Sequence, residues 1–127
     1  MERIPLRIFK NREFSKFARK EKISDKKLIE AVENADSGLI DANYGGGVIK
    51  QRIARPNEGK SGGYRSIVLY RQGDKAFFVY GFAKNEQDNI DKTEESDFKK
   101  LAKIMFAMTD QQIDTLLDKE SIEEVKP

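Results

Sequence analysis

Eight basic residues lie between Lys50 and Lys84, against two acidic ones, Glu58 and Asp74. They are Lys50, Arg52, Arg55, Lys60, Arg65, Arg71, Lys75 and Lys84. Amines and guanidinium groups at this density can bind the oxygens of a polyanion, RNA or DNA being the first candidates. The segment is +6 in a chain of net charge +2, and residues 85–127 are −6. The chain has no histidine and no cysteine. That removes an imidazole base, a thiolate nucleophile, disulfides and sites ligated by His or Cys. Any catalysis must run on Lys, Arg, Tyr, hydroxyls or carboxylates.

The cations must be held by strands. VIKQRIAR, YRSIVLYR and AFFVYGFA are rich in β-branched and aromatic residues, with turn signals between them. Gln72-Gly73-Asp74 reads as the hairpin turn joining the last two. In the first, Val48, Lys50 and Arg52 point to one face, and Ile49, Gln51 and Ile53 to the other. Residues 3–9 read as an opening strand, which Pro5 assigns to an edge. Asn11 caps a helix over 12–22, and Ser24 caps a second, DKKLIEAVENAD, that stops at Gly38. Together they form an α-hairpin laid on the sheet. Gly45, Gly46 and Gly47 read as a loop. Near 94–107, Phe98, Leu101, Ala102 and Met105 recur at helical spacing, and Thr109 with Gln112 forms a capping box for a last helix. The tail, SIEEVKP, reads as acidic and loosely held. The expected fold is α+β: a small antiparallel or mixed sheet, an N-terminal α-hairpin and C-terminal helices. One domain over 1–127 is expected, with a helical extension from about 109 to 127. No apolar run spans a bilayer and the N-terminus has no secretory h-region, so a cytoplasmic protein without membrane association is expected.

Residues 54–61, ARPNEGKS, fit a relaxed phosphate-loop pattern. That loop needs a following helix whose N-terminus cradles phosphate. Here Gly62-Gly63 and a strand follow, so the segment reads as a glycine-rich hairpin loop with Lys60 near its tip. Asp88, Asp91, Glu94, Glu95 and Asp97 could suggest a metal cluster, but a helix start favoured by the dipole explains them more simply. No metal and no cofactor is expected.

The run GGGVIKQRIARPNEGKSGGYRSIVLYRQGDKAFFVYGFAKNE resembles the centre of RelE/HigB-type toxins of bacterial type II toxin–antitoxin systems. The K-x-R strand, the G-K-S-G-G-Y-R return and the Y-G-F-A-K-N-E ending carry the resemblance. The two preceding helices and LAKIMFAMTDQQ extend it over nearly the whole chain. It implies a RelE-like fold and an endoribonuclease that cuts messenger RNA on the ribosome. It also implies neutralisation by a cognate antitoxin, commonly a helix-turn-helix protein, and contact with operator DNA only through that partner. By position, Lys50 and Arg52 match the family's two basic residues on the first central strand, Arg65 the arginine after Gly-Tyr, and Lys84 the basic residue ending the third strand. Asn85 stands where the best-known members have a further arginine. QDNIDK has no tyrosine where they carry a catalytic one.

On that resemblance the catalytic set is Lys50, Arg52, Arg65 and Lys84, and the surrounding RNA-binding candidates are Arg55, Lys60, Tyr64, Tyr80 and Asn85. Without a metal, the ribose 2′-OH attacks its own phosphorus, and the enzyme must take a proton, stabilise the phosphorane and protonate the 5′ oxygen. A lysine crowded by cations can replace histidine, because like charges and burial disfavour its protonated form. Lys50 is then the base and Arg65 stabilises the phosphorane. Arg52 and Lys84 bind phosphate, and either can assist the leaving group. Tyr64 or Tyr80 would stack on a base, although core packing is the plainer reading for the aromatics Phe77, Phe78, Tyr80 and Phe82. Strand cations also commonly mark a solvated face, the reading that fits Arg71 and Lys75. Two alternatives remain open: a RelE/ParE-fold toxin that inhibits a protein such as DNA gyrase, and a plain nucleic-acid-binding module.

Overall fold

The alternation read along residues 48–83 becomes three adjacent antiparallel strands at the centre of a mixed sheet. In the computed structural model, residues 7–54, 63–84, 86, 87 and 89–126 are described. Their elements are β1 (Arg7–Asn11), α1 (Arg12–Glu21), α2 (Asp25–Asp36), β2 (Ala42–Gly45), β3 (Val48–Ile53), β4 (Tyr64–Arg71), β5 (Lys75–Ala83), α3 (Lys92–Phe106), α4 (Asp110–Asp118) and β6 (Ile122–Val125). The sheet order is β2-β3-β4-β5-β1-β6. Among the described strands only β1 and β5 run parallel; the other pairs are antiparallel. The chain is α+β.

Local signals act where expected. The Asn11 side chain accepts the Phe14 N–H at 2.8 Å, and Ser24 Oγ accepts that of Lys27, which satisfies N–H groups that the first helical turn leaves without partners. Asp91 and Glu94 form a reciprocal capping box on α3, as Thr109 and Gln112 do on α4. Helix α2 ends at Asp36 with Ser37 as its C-cap, and Gly38 follows with φ +88°, a left-handed conformation that glycine adopts without strain.

Two apolar layers sandwich the sheet. On one face, Phe14, Ala18, Leu28 and Val32 from α1 and α2 pack with Ile49, Ile53, Val68 and Phe78. On the other, Ala102, Met105 and Ile113 from α3 and α4 pack with Phe9, Val48, Leu69, Phe77 and Phe82. Each fully buried Phe or Leu, such as Phe14 and Leu28, contributes about 2 kcal/mol through apolar area removed from water. Helix α1 comes so close to β5 that a Cβ on Gly81 would meet the Phe17 ring at 2.4 Å.

Four expectations are corrected. The tail is neither loosely held nor part of a helical extension to 127: after α4, β6 pairs with β1, and Ile122 and Val125 are buried. For the same reason β1 is not an edge strand, since β5 and β6 flank it; Pro5 lies outside the described residues. The loop read at Gly45, Gly46 and Gly47 gives up Gly45 to a strand, because β2 adds to β3 through Ala42↔Lys50, Asn43↔Ile49 and Gly45↔Val48. Backbone pairing needs no particular side chain, so ANYG carries little β-branched signal and still forms an edge strand.

Candidate functional site

Lys50 and Arg52 project from β3, and the register places Lys50 beside Ile67 and Arg52 beside Arg65 on β4. Directly opposed residues of an antiparallel pair share a face, so Lys50, Arg52 and Arg65 form one cationic group. Like charges opposed in this way repel, and Arg65 is only 6% exposed. A guanidinium that far from water needs a counter-anion. Asp41 supplies it. Its Oδ2 lies 3.4 Å from Arg65 Nε and 3.3 Å from Lys50 Nζ, so one carboxylate oxygen bridges two strands. Arg65 Nη1 also donates to its neighbour's carbonyl, Tyr64 O, at 3.3 Å.

Asp41 sits between α2 and β2, and a buried amide fixes its backbone. Gln51, 3% exposed, accepts the Asp41 N–H through Oε1 at 3.1 Å. Its Nε2 donates to the carbonyls of Ala31 and Leu39 at 2.8 and 3.0 Å. Side chain and backbone are thus held differently: the Asp41 peptide is tied to β3, while its side chain is 31% exposed. Asp41, Gln51 and Arg52 line an open pocket together with Asn34, Leu39 and Ile40.

Lys84 follows β5, and its backbone N–H donates to Gly63 O at 3.2 Å. That contact sets Lys84 against the start of β4, close in register to Arg65. Tyr80 pairs with Ile67, which itself pairs with Lys50, so Tyr80 lies on the cationic face two strands away, about 10 Å at sheet spacing. Its ring packs near Phe82 and Phe98, and its hydroxyl donates to Gln87 Oε1 at 3.1 Å. Burial, then the carboxylates of Glu94 and Glu13, raise its phenol above the usual value of 10. Tyr80 therefore keeps its proton at neutral pH.

Tyr64 does not meet the expectation of a base-stacking residue. It is 3% exposed, its ring edge-on to Phe17 at 5.5 Å, and its hydroxyl donates to Glu21 Oε1 at 2.7 Å. As the neighbour of Arg65 on a strand, it points to the opposite face, into the α1–α2 layer. Lys75 is likewise not solvent-facing: its side chain is 12% exposed and pairs with Asp74 at 3.4 Å. Arg71 is exposed, with its guanidinium 4.5 Å from the Phe106 ring centroid. Arg55, Lys60, Asn85 and Asp88 lie outside the described residues. Asp91 and Glu94 serve as helix caps, and among the described residues no acidic group is arranged to hold a metal ion.

Sequence reasoning missed Asp41, Gln51 and Tyr44. Tyr44, on β2, donates its hydroxyl to Asn89 Oδ1. Burial raises its phenol first, then Glu95 and Asp41, so it borders the same electrostatic field. Asp41 left no sequence signal, because its placement depends on β2 pairing beside the K-x-R strand.

Fold and site define a small α+β protein whose sheet carries a cationic cluster organised around one carboxylate. The family model for the RelE toxin of the RelE/RelB toxin–antitoxin system matches residues 6–125. No curated protein matches the chain. The chain belongs to the RelE toxin family: it is the toxin of a toxin–antitoxin system, and its family implies a cognate antitoxin as partner. No helix among the described residues is long and apolar enough to cross a membrane.

Proposed function

We propose that this toxin is an endoribonuclease that cuts messenger RNA on the translating ribosome, using protein cations rather than a metal for charge stabilisation. The observation that carries the reading is the convergence of Lys50 Nζ and Arg65 Nε on a single anionic oxygen. Two donors that share one carboxylate oxygen can share a phosphate oxygen in the same way. The ribose 2′-OH attacks the adjacent phosphorus, and Lys50 takes its proton as the general base. Arg65 stabilises the phosphorane oxygens as they gain charge. Arg52 and Lys84 hold the flanking phosphate, and one of them assists departure of the 5′ oxygen. The P–O5′ bond breaks and the departing oxygen takes a proton from water, leaving a 2′,3′-cyclic phosphate and a 5′-hydroxyl, while Lys50 returns its proton to solvent. The protein acts in the cytoplasm, and a helix-turn-helix antitoxin neutralises it and links it to operator DNA.

Purified protein incubated with translating ribosomes, followed by mapping of mRNA 5′ ends, tests the proposal. New 5′-hydroxyl ends that disappear with Arg65→Ala are expected. Intact message with arrested growth would instead favour a non-catalytic toxin acting on a protein such as DNA gyrase. Salt-sensitive RNA binding with no cleavage and no arrest would leave a plain binding module.

A further inference from the structure

We propose that the Asp41 carboxylate occupies the seat of a substrate phosphate, as a resident competitor that RNA must displace from Lys50 and Arg65. This rests on the polyanion-binding part of the proposed function, but not on cleavage. Three observations carry it. Asp41 Oδ2 lies within 3.4 Å of both cationic nitrogens, where an anionic oxygen of a phosphodiester would make the same contacts. Arg65, almost fully buried, has no solvent shell to fall back on, so an anion must fill the seat when RNA is absent. Finally, the attachment of Asp41 allows exchange. Gln51 anchors its backbone through a buried amide, whereas the Asp41 side chain is 31% exposed. A side-chain rotation toward solvent then releases the seat without moving β2 or β3.

The device has two consequences. The buried cations keep a counter-anion while the seat is empty of RNA, so RNA entry exchanges one anion for another at Lys50 and Arg65. Affinity is set lower than bare cations would allow, because each binding event must break the Asp41 contacts.

The test uses the full chain and a short fluorescent RNA with 2′-O-methyl riboses, which lacks the nucleophile and cannot be cut. Asp41→Asn keeps the shape and removes the charge. It should bind about three- to tenfold tighter than the unaltered protein, with the slope of log affinity against log salt steeper by about 0.7. Adding Lys50→Met should abolish that gain, and Asp118→Asn, which removes a charge from the exposed end of α4, should not reproduce it. Unchanged or weaker binding by Asp41→Asn overturns the proposal. So does a gain that persists beside Lys50→Met or is matched by Asp118→Asn, since either means bulk charge alone.

Should Asp41→Asn fail to fold, carboxyl ¹³C NMR of the unaltered chain reads the same exchange. The Asp41 resonance should move as RNA saturates; a fixed resonance while neighbouring amides report binding rejects displacement. Failure of every variant to bind RNA rejects this inference together with the polyanion reading. Tighter binding by Asp41→Asn without ribosome-dependent cleavage leaves it standing while the nuclease reading falls.

Discussion

Arg65 Nε lies 3.4 Å from Asp41 Oδ2, the oxygen that also faces Lys50 Nζ at 3.3 Å. Arg65 at the same time donates through Nη1 to a backbone carbonyl. A planar guanidinium can hold both contacts with fixed geometry, and an ammonium cannot. Arg65→Lys should therefore fold but cleave ribosome-engaged mRNA at least tenfold more slowly. Arg65→Ala should lose roughly 10²–10³-fold, the usual effect of deleting one electrostatic donor. Rates from single-turnover cleavage decide the point; equal activity of Arg65→Lys and the unaltered toxin would remove the fork from the mechanism.

Gln51 joins α2, the connection before β2 and the cationic strand. Gln51→Leu deletes three hydrogen bonds, the two its amide donates to the Ala31 and Leu39 carbonyls and the one it accepts from the Asp41 N–H. Since unsatisfied buried polar groups are costly, a destabilisation of about 2–3 kcal/mol is expected. Urea denaturation measures it, and a midpoint close to that of the unaltered chain would contradict the anchoring role.

The contact of Phe17 with Gly81 predicts a reciprocal pair of variants. A Cβ at Gly81 would meet the ring at 2.4 Å, and overpacking of this kind costs about 1–3 kcal/mol. Gly81→Ala should lower the thermal midpoint, and Phe17→Leu in the same chain should recover part of the loss. Two strictly additive losses would indicate that the clash is not the cause.

Strand β6 is latched by Arg7, whose Nε and Nη2 donate to the two Glu124 carboxylate oxygens at 3.0 and 3.1 Å. The hydrogen bond to Arg7 holds the Glu124 carboxyl below its ordinary 4.5. The unfolded chain binds this proton more readily, so the latch stabilises above pH 4.5 and is lost as pH falls through the lower folded value. Glu124→Gln should flatten the acid side of the stability profile while leaving its slope near neutrality unchanged. Hydrogen exchange of the β6 amides across acid pH checks this directly.

Local periodicity and local hydrogen bonding are written into the order of residues. The helix starts at Asn11, Ser24 and Thr109 were legible because a cap bonds a backbone group three residues away. The shared face of Lys50 and Arg52 was legible because strand side chains alternate. The same parity sends Tyr64 away from Arg65 into the core, a consequence that alternation alone dictates.

Which backbones meet is a matter for the folded chain. Strands β2 and β6 form through N–H and C=O groups that every residue here offers, so ANYG and IEEV announce themselves weakly. That pairing brings Asp41 to Lys50 and Arg65, which turns a row of cations into a cluster organised around one carboxylate. An isolated acidic residue ahead of a glycine run says nothing of this, because the attraction depends on a separation that only the folded sheet sets.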